Sequence, residues 1–196
     1  MSANTASAKG YQISDPPVAQ QLFGNTRWAW IWLALRLYLG YTWLSSGIGK
    51  LSNPAWLSGQ ALKGFWTNAV AIPAAPARPA ITFEWYRSFI ESLLNSGSYV
   101  WFAKLVLAGE LFVGAALILG AFTGVAATIG GFMNWNFMMA GTASSNPLLF
   151  LIAILLILAW KVAGWWGLDR FLLPAVGTPW QPGKAFQSKQ PGGPVS

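Results

Sequence analysis

Residues 99–141, YVWFAKLVLAGELFVGAALILGAFTGVAATIGGFMNWNFMMAG, decide the fold. They hold two apolar runs of about 20 residues each, enough for a helix to cross a ~30 Å hydrocarbon core. Only Gly120-Ala121 separates them, so the two must return on each other as a tight antiparallel hairpin. Upstream, WAWIWLALRLYLGYTWLSSGIGKL at 28–51 is a third run of that length, and downstream NPLLFLIAILLILAWKVAGWW at 146–166 is a fourth. Asn146 reads as an N-cap with Pro147 at the first helical position, where proline's missing N–H costs nothing. The sequence thus predicts an all-α membrane protein, a four-transmembrane-helix bundle with spans at about 28–51, 99–119, 122–141 and 147–166. Trp28, Trp30, Trp32, Tyr99, Trp101, Trp165 and Trp166 fall at span ends and suit interfacial aromatic belts.

Composition points the same way. Of 196 residues, 55% are hydrophobic and 9% charged, against about 25% charged in a soluble domain. There is no Cys, which excludes a disulfide framework and thiolate-held zinc or iron–sulfur. There is no His either, so the commonest metal ligand and near-neutral general base are missing. No metal site and no covalently bound cofactor is expected. The net charge of +7 is spread thinly. It lacks the basic stripe that nucleic acid demands and suits membrane lipid headgroups instead.

The connection at 52–98 carries two amphipathic segments, at about 54–70 and 83–95. In the first, Trp56, Phe65, Trp66 and Val70 form an apolar face opposite Gln60, Lys63, Thr67 and Asn68. In the second, Tyr86, Phe89, Ile90 and Leu94 oppose Glu84, Arg87, Glu91 and Asn95. Both are too polar to span and are expected as interfacial helices roofing one end of the bundle. Residues 27–173 form the transmembrane domain. The polar segment 1–26 lacks the features of a cleavable signal peptide and reads as a largely disordered tail. A Pro/Gly-rich tail at 174–196 is also expected to be disordered. Lys9, Arg27, Arg170, Lys184 and Lys189 place both termini in the cytoplasm, with the roof outside.

An ionisable residue inside a span costs about 2.5–3.5 kcal/mol near the bilayer centre and needs a reason. Arg36 stands in the first span, followed on one helical stripe by Gly40, Trp43, Gly47 and Lys50. Glu110 is the one carboxylate within any predicted span. It requires a cation, with Arg36 the first candidate and Lys50 the second. The pair serves either helix register or chemistry. Asn134 and Asn136 lie about 200° apart on the third helix, so one faces the interior and the sequence does not say which. Gly120, Gly124, Gly130 and Gly131 permit close packing, while Met133, Met138 and Met139 fill core or line an apolar pocket.

These features in this order resemble the DoxX/DoxD family of small membrane proteins. That family includes the membrane subunit of thiosulfate:quinone oxidoreductase. The resemblance is carried by LALRLYLGYTWLSSGIGKL, KLVLAGELFVGAALILGAFTG, GFMNWNFMMAGTASSNP and LAWKVAGWWGLDRFLLP, over about residues 28–180. It implies a prokaryotic plasma membrane, multi-pass topology and work with quinone as a substrate. It also implies importance for Arg36, Lys50 and Glu110.

Three functions compete. In the first, a quinone-linked oxidoreductase or its membrane subunit takes electrons from a sulfur compound such as thiosulfate. Glu110 and Arg36 are then catalytic, and Arg36, Trp43, Lys50 and Asn134 bind substrate or quinone. In the second, a non-catalytic scaffold or accessory subunit stabilises a partner protein, or the chain forms a homo-oligomer. The third, a small transporter, lacks the inverted repeat and broken helices such proteins show.

Overall fold

The computed structural model describes residues 14–178 and 181–186. Among the described residues the chain is mostly helical, with ten α-helices and one two-residue strand ladder, Gly177–Thr178 against Gln181–Pro182. The helices are α1 Pro17–Gly24, α2 Ala29–Leu51, α3 Pro54–Leu57, α4 Gln60–Val70, α5 Glu84–Asn95, α6 Tyr99–Leu119, α7 Thr123–Met139, α8 Asn146–Leu158, α9 Trp160–Ala163 and α10 Asp169–Val176.

Four of them make a closed bundle. Helix α2 packs on α6, α6 on α7, α7 on α8, and α8 returns to α2. The core between them contains Trp32, Leu39, Trp43, Val113, Leu117 and Leu156. Their outer faces are apolar too: Tyr41, Ile48, Leu105, Phe112, Val125, Phe132, Leu151 and Leu158 are each more than half exposed. Helix α6 is the one described helix long and apolar enough to cross a membrane by length and composition. Helix α2 is longer, at 23 residues, but Arg36, Thr42, Ser45, Ser46 and Lys50 dilute its hydropathy. Helix α7 has 17 residues and α8 has 13.

The α6–α7 turn shows how local chemistry sets the bundle. Gly120 adopts φ 66°, and the Ala121 N–H donates back to the Ala116 carbonyl at 2.9 Å, closing α6 with a left-handed cap. The N-terminus of α7 is then capped from a distance: the Asp169 carboxylate accepts from the backbone N–H groups of Phe122 and Thr123. A negative group there satisfies unpaired donors and complements the helix dipole.

Helices α3, α4 and α5 cover the opposite end of the bundle. Their core joins Leu62, Trp66, Ile81, Tyr86 and Ile90 to Ala103 and Ala140. Gly59, at φ 80°, lets the α3–α4 turn lie on the start of α6, since a Cβ there would meet the Val100 Cα at 2.7 Å.

Several expectations need correction. Arg87 is not on an exposed polar face; it is buried, donating to the Ile81 carbonyl at 2.7 Å and to Glu84 at 2.8 Å. The 71–83 linker folds under α5, and its carbonyl needs a donor there. Part of the segment expected as a disordered tail is helix α1, docked by a bond from Trp32 Nε1 to the Leu22 carbonyl (2.9 Å) and by stacking of Phe23 on Trp32. Asn146 begins α8 rather than capping it, and its side chain donates to the Thr142 carbonyl at 3.0 Å. The fourth apolar run is interrupted after Leu158, and α9 follows as a separate short helix. Of the segment expected as a C-terminal tail, 174–178, 181–182 and 184–186 belong to α10, the ladder and a short 3₁₀ turn. The expectations for 1–13, including Lys9, and for 187–196, including Lys189, lie outside the described residues.

Candidate functional site

The site is built by a close crossing of α2 and α6. Gly114 sits against the backbone of Leu44, where an added Cβ would lie 2.7 Å from the Leu44 Cα. Gly40 and Gly47 face Leu117 and Leu111 in the same manner. Small residues at the crossing let the backbones approach. One turn beyond Gly47 stands Lys50, and one turn before Gly114 stands Glu110. The crossing therefore brings these two side chains together.

Lys50 Nζ lies 2.9 Å from Glu110 Oε1 and 2.7 Å from Ser46 Oγ, with the Trp56 ring 4.9 Å away. The Glu110 side chain is 1% exposed and that of Lys50 17%. The pair is charge-neutral and open only on the lysine side.

Arg36 is not the partner of Glu110, contrary to the first expectation. Its guanidinium donates to the carbonyls of Leu117, Ile118 and Trp166, the last two at 2.9 and 3.2 Å. The first two acceptors lie at the C-terminal end of α6, about 11 Å along the helix from Glu110 at 1.5 Å per residue. Carbonyls at a helix C-terminus lack intrahelical donors, and a cation there is favoured by the dipole. Arg36 thus ties α2 to the end of α6 and to the chain after α9.

Around the Lys50–Glu110 pair lies a cavity of about 270 Å³, lined also by Trp43, Asn134, Phe137 and Leu149. Three of the residues singled out from sequence, Glu110, Trp43 and Asn134, line it and carry buried atoms without a hydrogen-bond partner. These are Glu110 Oε2, Trp43 Nε1, and both Oδ1 and Nδ2 of Asn134. Asn134 is fully buried. Gly130 makes room for the indole edge, since a Cβ there would stand 3.0 Å from Trp43 Nε1. An unpaired buried polar group costs about 1–3 kcal/mol, and native interiors hold few. Four such atoms thus belong to three residues of one cavity wall.

The second asparagine points elsewhere. Asn136 Nδ2 donates to the Phe132 carbonyl at 2.8 Å, and the Tyr86 hydroxyl donates to the Asn136 carbonyl and Oδ1 at 3.1 and 3.2 Å. Burial pushes the Tyr86 phenol up to about 12, so it remains a donor at neutral pH. Asn134 is the interior residue of the two.

Next to this chamber is a crevice of about 330 Å³ with an almost wholly apolar lining between α4, α5, α6 and α7. The two share Leu62, Phe65 and Phe137 as a common wall. On its outer side the crevice reaches Leu105 and Phe132, both more than half exposed on the bundle surface.

Sequence reasoning missed the contribution of the roof and of the α7–α8 loop. Trp56, Leu62 and Phe65 come from α3 and α4, and Thr142, Ser145 and Asn146 from the loop and the start of α8. Among the described residues no group of three or more His, Cys, Asp or Glu is placed to hold a metal ion. Compared with known protein families, characterised proteins and solved structures, the chain matches none.

Proposed function

We propose that the chain is a four-span membrane protein of DoxX/DoxD type that acts as a quinone-linked oxidoreductase or as the quinone-binding subunit of one. The membrane part rests on the bundle's outer surface. Large apolar side chains more than half exposed on α2, α6, α7 and α8 form a surface that water disfavours and lipid tails accept. With both termini cytoplasmic, the roof lies outside, in the plasma membrane of a prokaryote.

The quinone part is carried by one observation: a polar chamber with unpaired donors and acceptors shares a wall with an apolar crevice that reaches the lipid-facing surface. A quinone joins an apolar tail to a ring with two carbonyl acceptors, and these two spaces match those halves. Trp43 Nε1 and Asn134 Nδ2 donate to a ring oxygen. Phe137, whose ring centroid is 6.3 Å from that of Trp43, flanks the ring. Glu110 Oε2 exchanges a proton with the oxygen that becomes a hydroxyl, and Lys50 holds Glu110 in place from the other carboxylate oxygen. The quinone supplies a two-electron, two-proton acceptor. Joining two thiosulfate dianions into tetrathionate releases the two electrons that quinone reduction consumes, so the step balances with two protons taken up.

The test is quinone reduction by the purified chain in lipid nanodiscs, with thiosulfate and a short-tailed quinone. Activity is expected in the wild type and a fall of about 10²-fold or more in Glu110→Gln, the size of a general acid–base contribution. Full activity in that variant overturns the role of Glu110. An inactive wild type that gains no activity with co-purifying proteins overturns the oxidoreductase reading and favours a scaffold.

A further inference from the structure

Access to the chamber is asymmetric along the bundle. At the roof end its lining is polar and partly open. Lys50 is 17% exposed there, Ser145 is exposed, and Thr142, Asn146 and Trp56 are half-buried. Toward the other end, Leu39, Val113, Leu117, Ala127 and Leu156 are all fully buried, so each helix of the bundle adds to a dry layer. From Trp43 to Arg36 is seven residues of α2, about 10 Å of that layer at 1.5 Å per residue. Below it, Arg36 ties two carbonyls at the C-terminal end of α6 to that of Trp166.

The charges inside are balanced. Lys50 and Glu110 neutralise each other at 2.9 Å, and no other ionisable side chain lines the cavity. The atoms left over are donors (Trp43 Nε1, Asn134 Nδ2) and acceptors (Glu110 Oε2, Asn134 Oδ1) in equal number. A dianion meets the free carboxylate oxygen, whereas an uncharged group bearing both a donor and an acceptor pairs with one atom of each kind.

We infer that the chamber is a one-sided, charge-neutral polar site, reached by small solutes and protons only from the roof end and fitted to an uncharged hydroxyl-bearing group, which both donates and accepts. This rests on the membrane-spanning part of the reading above and not on quinone chemistry.

The chain has no Cys, so single-cysteine variants report without background. Ser145→Cys marks the roof side and Thr26→Cys the opposite side; both positions are exposed. Ser46→Cys and Thr142→Cys, both half-buried in the lining, report the chamber, and Val113→Cys the dry layer. Membrane-impermeant cationic and anionic methanethiosulfonates are applied to each side of sealed proteoliposomes of defined orientation. Both chamber variants are expected to react from the side on which Ser145→Cys reacts, and Val113→Cys from neither. The cationic and anionic reagents should label Ser46→Cys at rates within a few-fold of each other. Adding Glu110→Gln should favour the anionic reagent by about tenfold, and adding Lys50→Met the cationic one, as one uncompensated charge at short range does. Labelling of chamber variants from the Thr26 side, from both sides or from neither overturns one-sided access. A strong charge preference with the ion pair intact overturns neutrality. Reaction of Ser145→Cys and Thr26→Cys from the same side shows instead that the four-span topology is wrong. The quinone assay plays no part in any of these outcomes.

Discussion

Asn134→Leu separates a ligand site from a structural network. Both polar atoms of Asn134 are buried and unpaired, and the residue is fully enclosed by the bundle. Leucine has nearly the same size and removes both unpaired atoms. An unpaired buried group costs about 1–3 kcal/mol, so the substitution should stabilise the chain by about 2 kcal/mol. In a chain of this size each kcal/mol moves Tm by about 2–4 °C, giving a rise of about 4–8 °C. The assay is thermal unfolding in nanodiscs followed by far-ultraviolet circular dichroism, with quinone reduction measured on the same sample. Higher Tm with activity lost by at least tenfold is the signature of a polar group kept for function. A fall in Tm of comparable size would show that Asn134 holds the helices together, and the chamber would lose its strongest support.

Other perturbations test the frame of the site. Lys50→Met leaves Glu110 buried beside an apolar side chain and should cost about 3 kcal/mol, the low end for a broken buried pair because Lys50 is partly exposed. The double variant with Glu110→Gln should be less destabilised than Lys50→Met alone, and additive losses in denaturation would refute the pairing. Gly114→Ala should cost about 1–3 kcal/mol by forcing α2 off α6 at Leu44. Gly64→Ala in α4, where an added Cβ meets nothing within 4 Å, should stabilise by about 0.5–1 kcal/mol. Arg36→Met removes a donor from three carbonyls and should lower Tm more than Arg36→Lys, whose single ammonium recovers only part of the fork. Tyr86 supplies a pH test. Its phenol titrates near 10 when unfolded and near 12 when folded, so its contribution is full below about pH 10 and is lost as the pH rises toward 12. Tm measured across that range should fall less steeply in Tyr86→Phe than in the wild type.

Much of the helical plan was readable because apolar runs and glycine breaks are local signals. The 99–119 limits expected for one helix are those of α6, and the Gly120 turn follows from its φ. The fourth run was harder: its composition is uniformly apolar from Leu148 to Ala159, and nothing in that stretch announces the break before Trp160. Helix α1 was hidden because it is short, with Val18, Leu22 and Phe23 its only large apolar side chains, and it docks on Trp32. Trp43, Lys50, Glu110 and Asn134 were singled out because polar groups in apolar runs stand out, and the fold brings all four to one cavity. Their pairing was misjudged. Arg36 and Lys50 share a stripe, and which one meets Glu110 depends on the height at which Gly47 and Gly114 cross, a tertiary quantity. The roof and loop walls of the chamber lie far from it in sequence and carry no local mark.

The most direct test of the central claim is calorimetric binding of a short-tailed quinone to the wild type, Trp43→Phe and Asn134→Leu chains in nanodiscs. Specific saturable binding by the wild type, weakened about tenfold or more in both variants, is the predicted result. Equal affinity in all three, or none in a folded wild type, would contradict the assignment of the chamber as the quinone site.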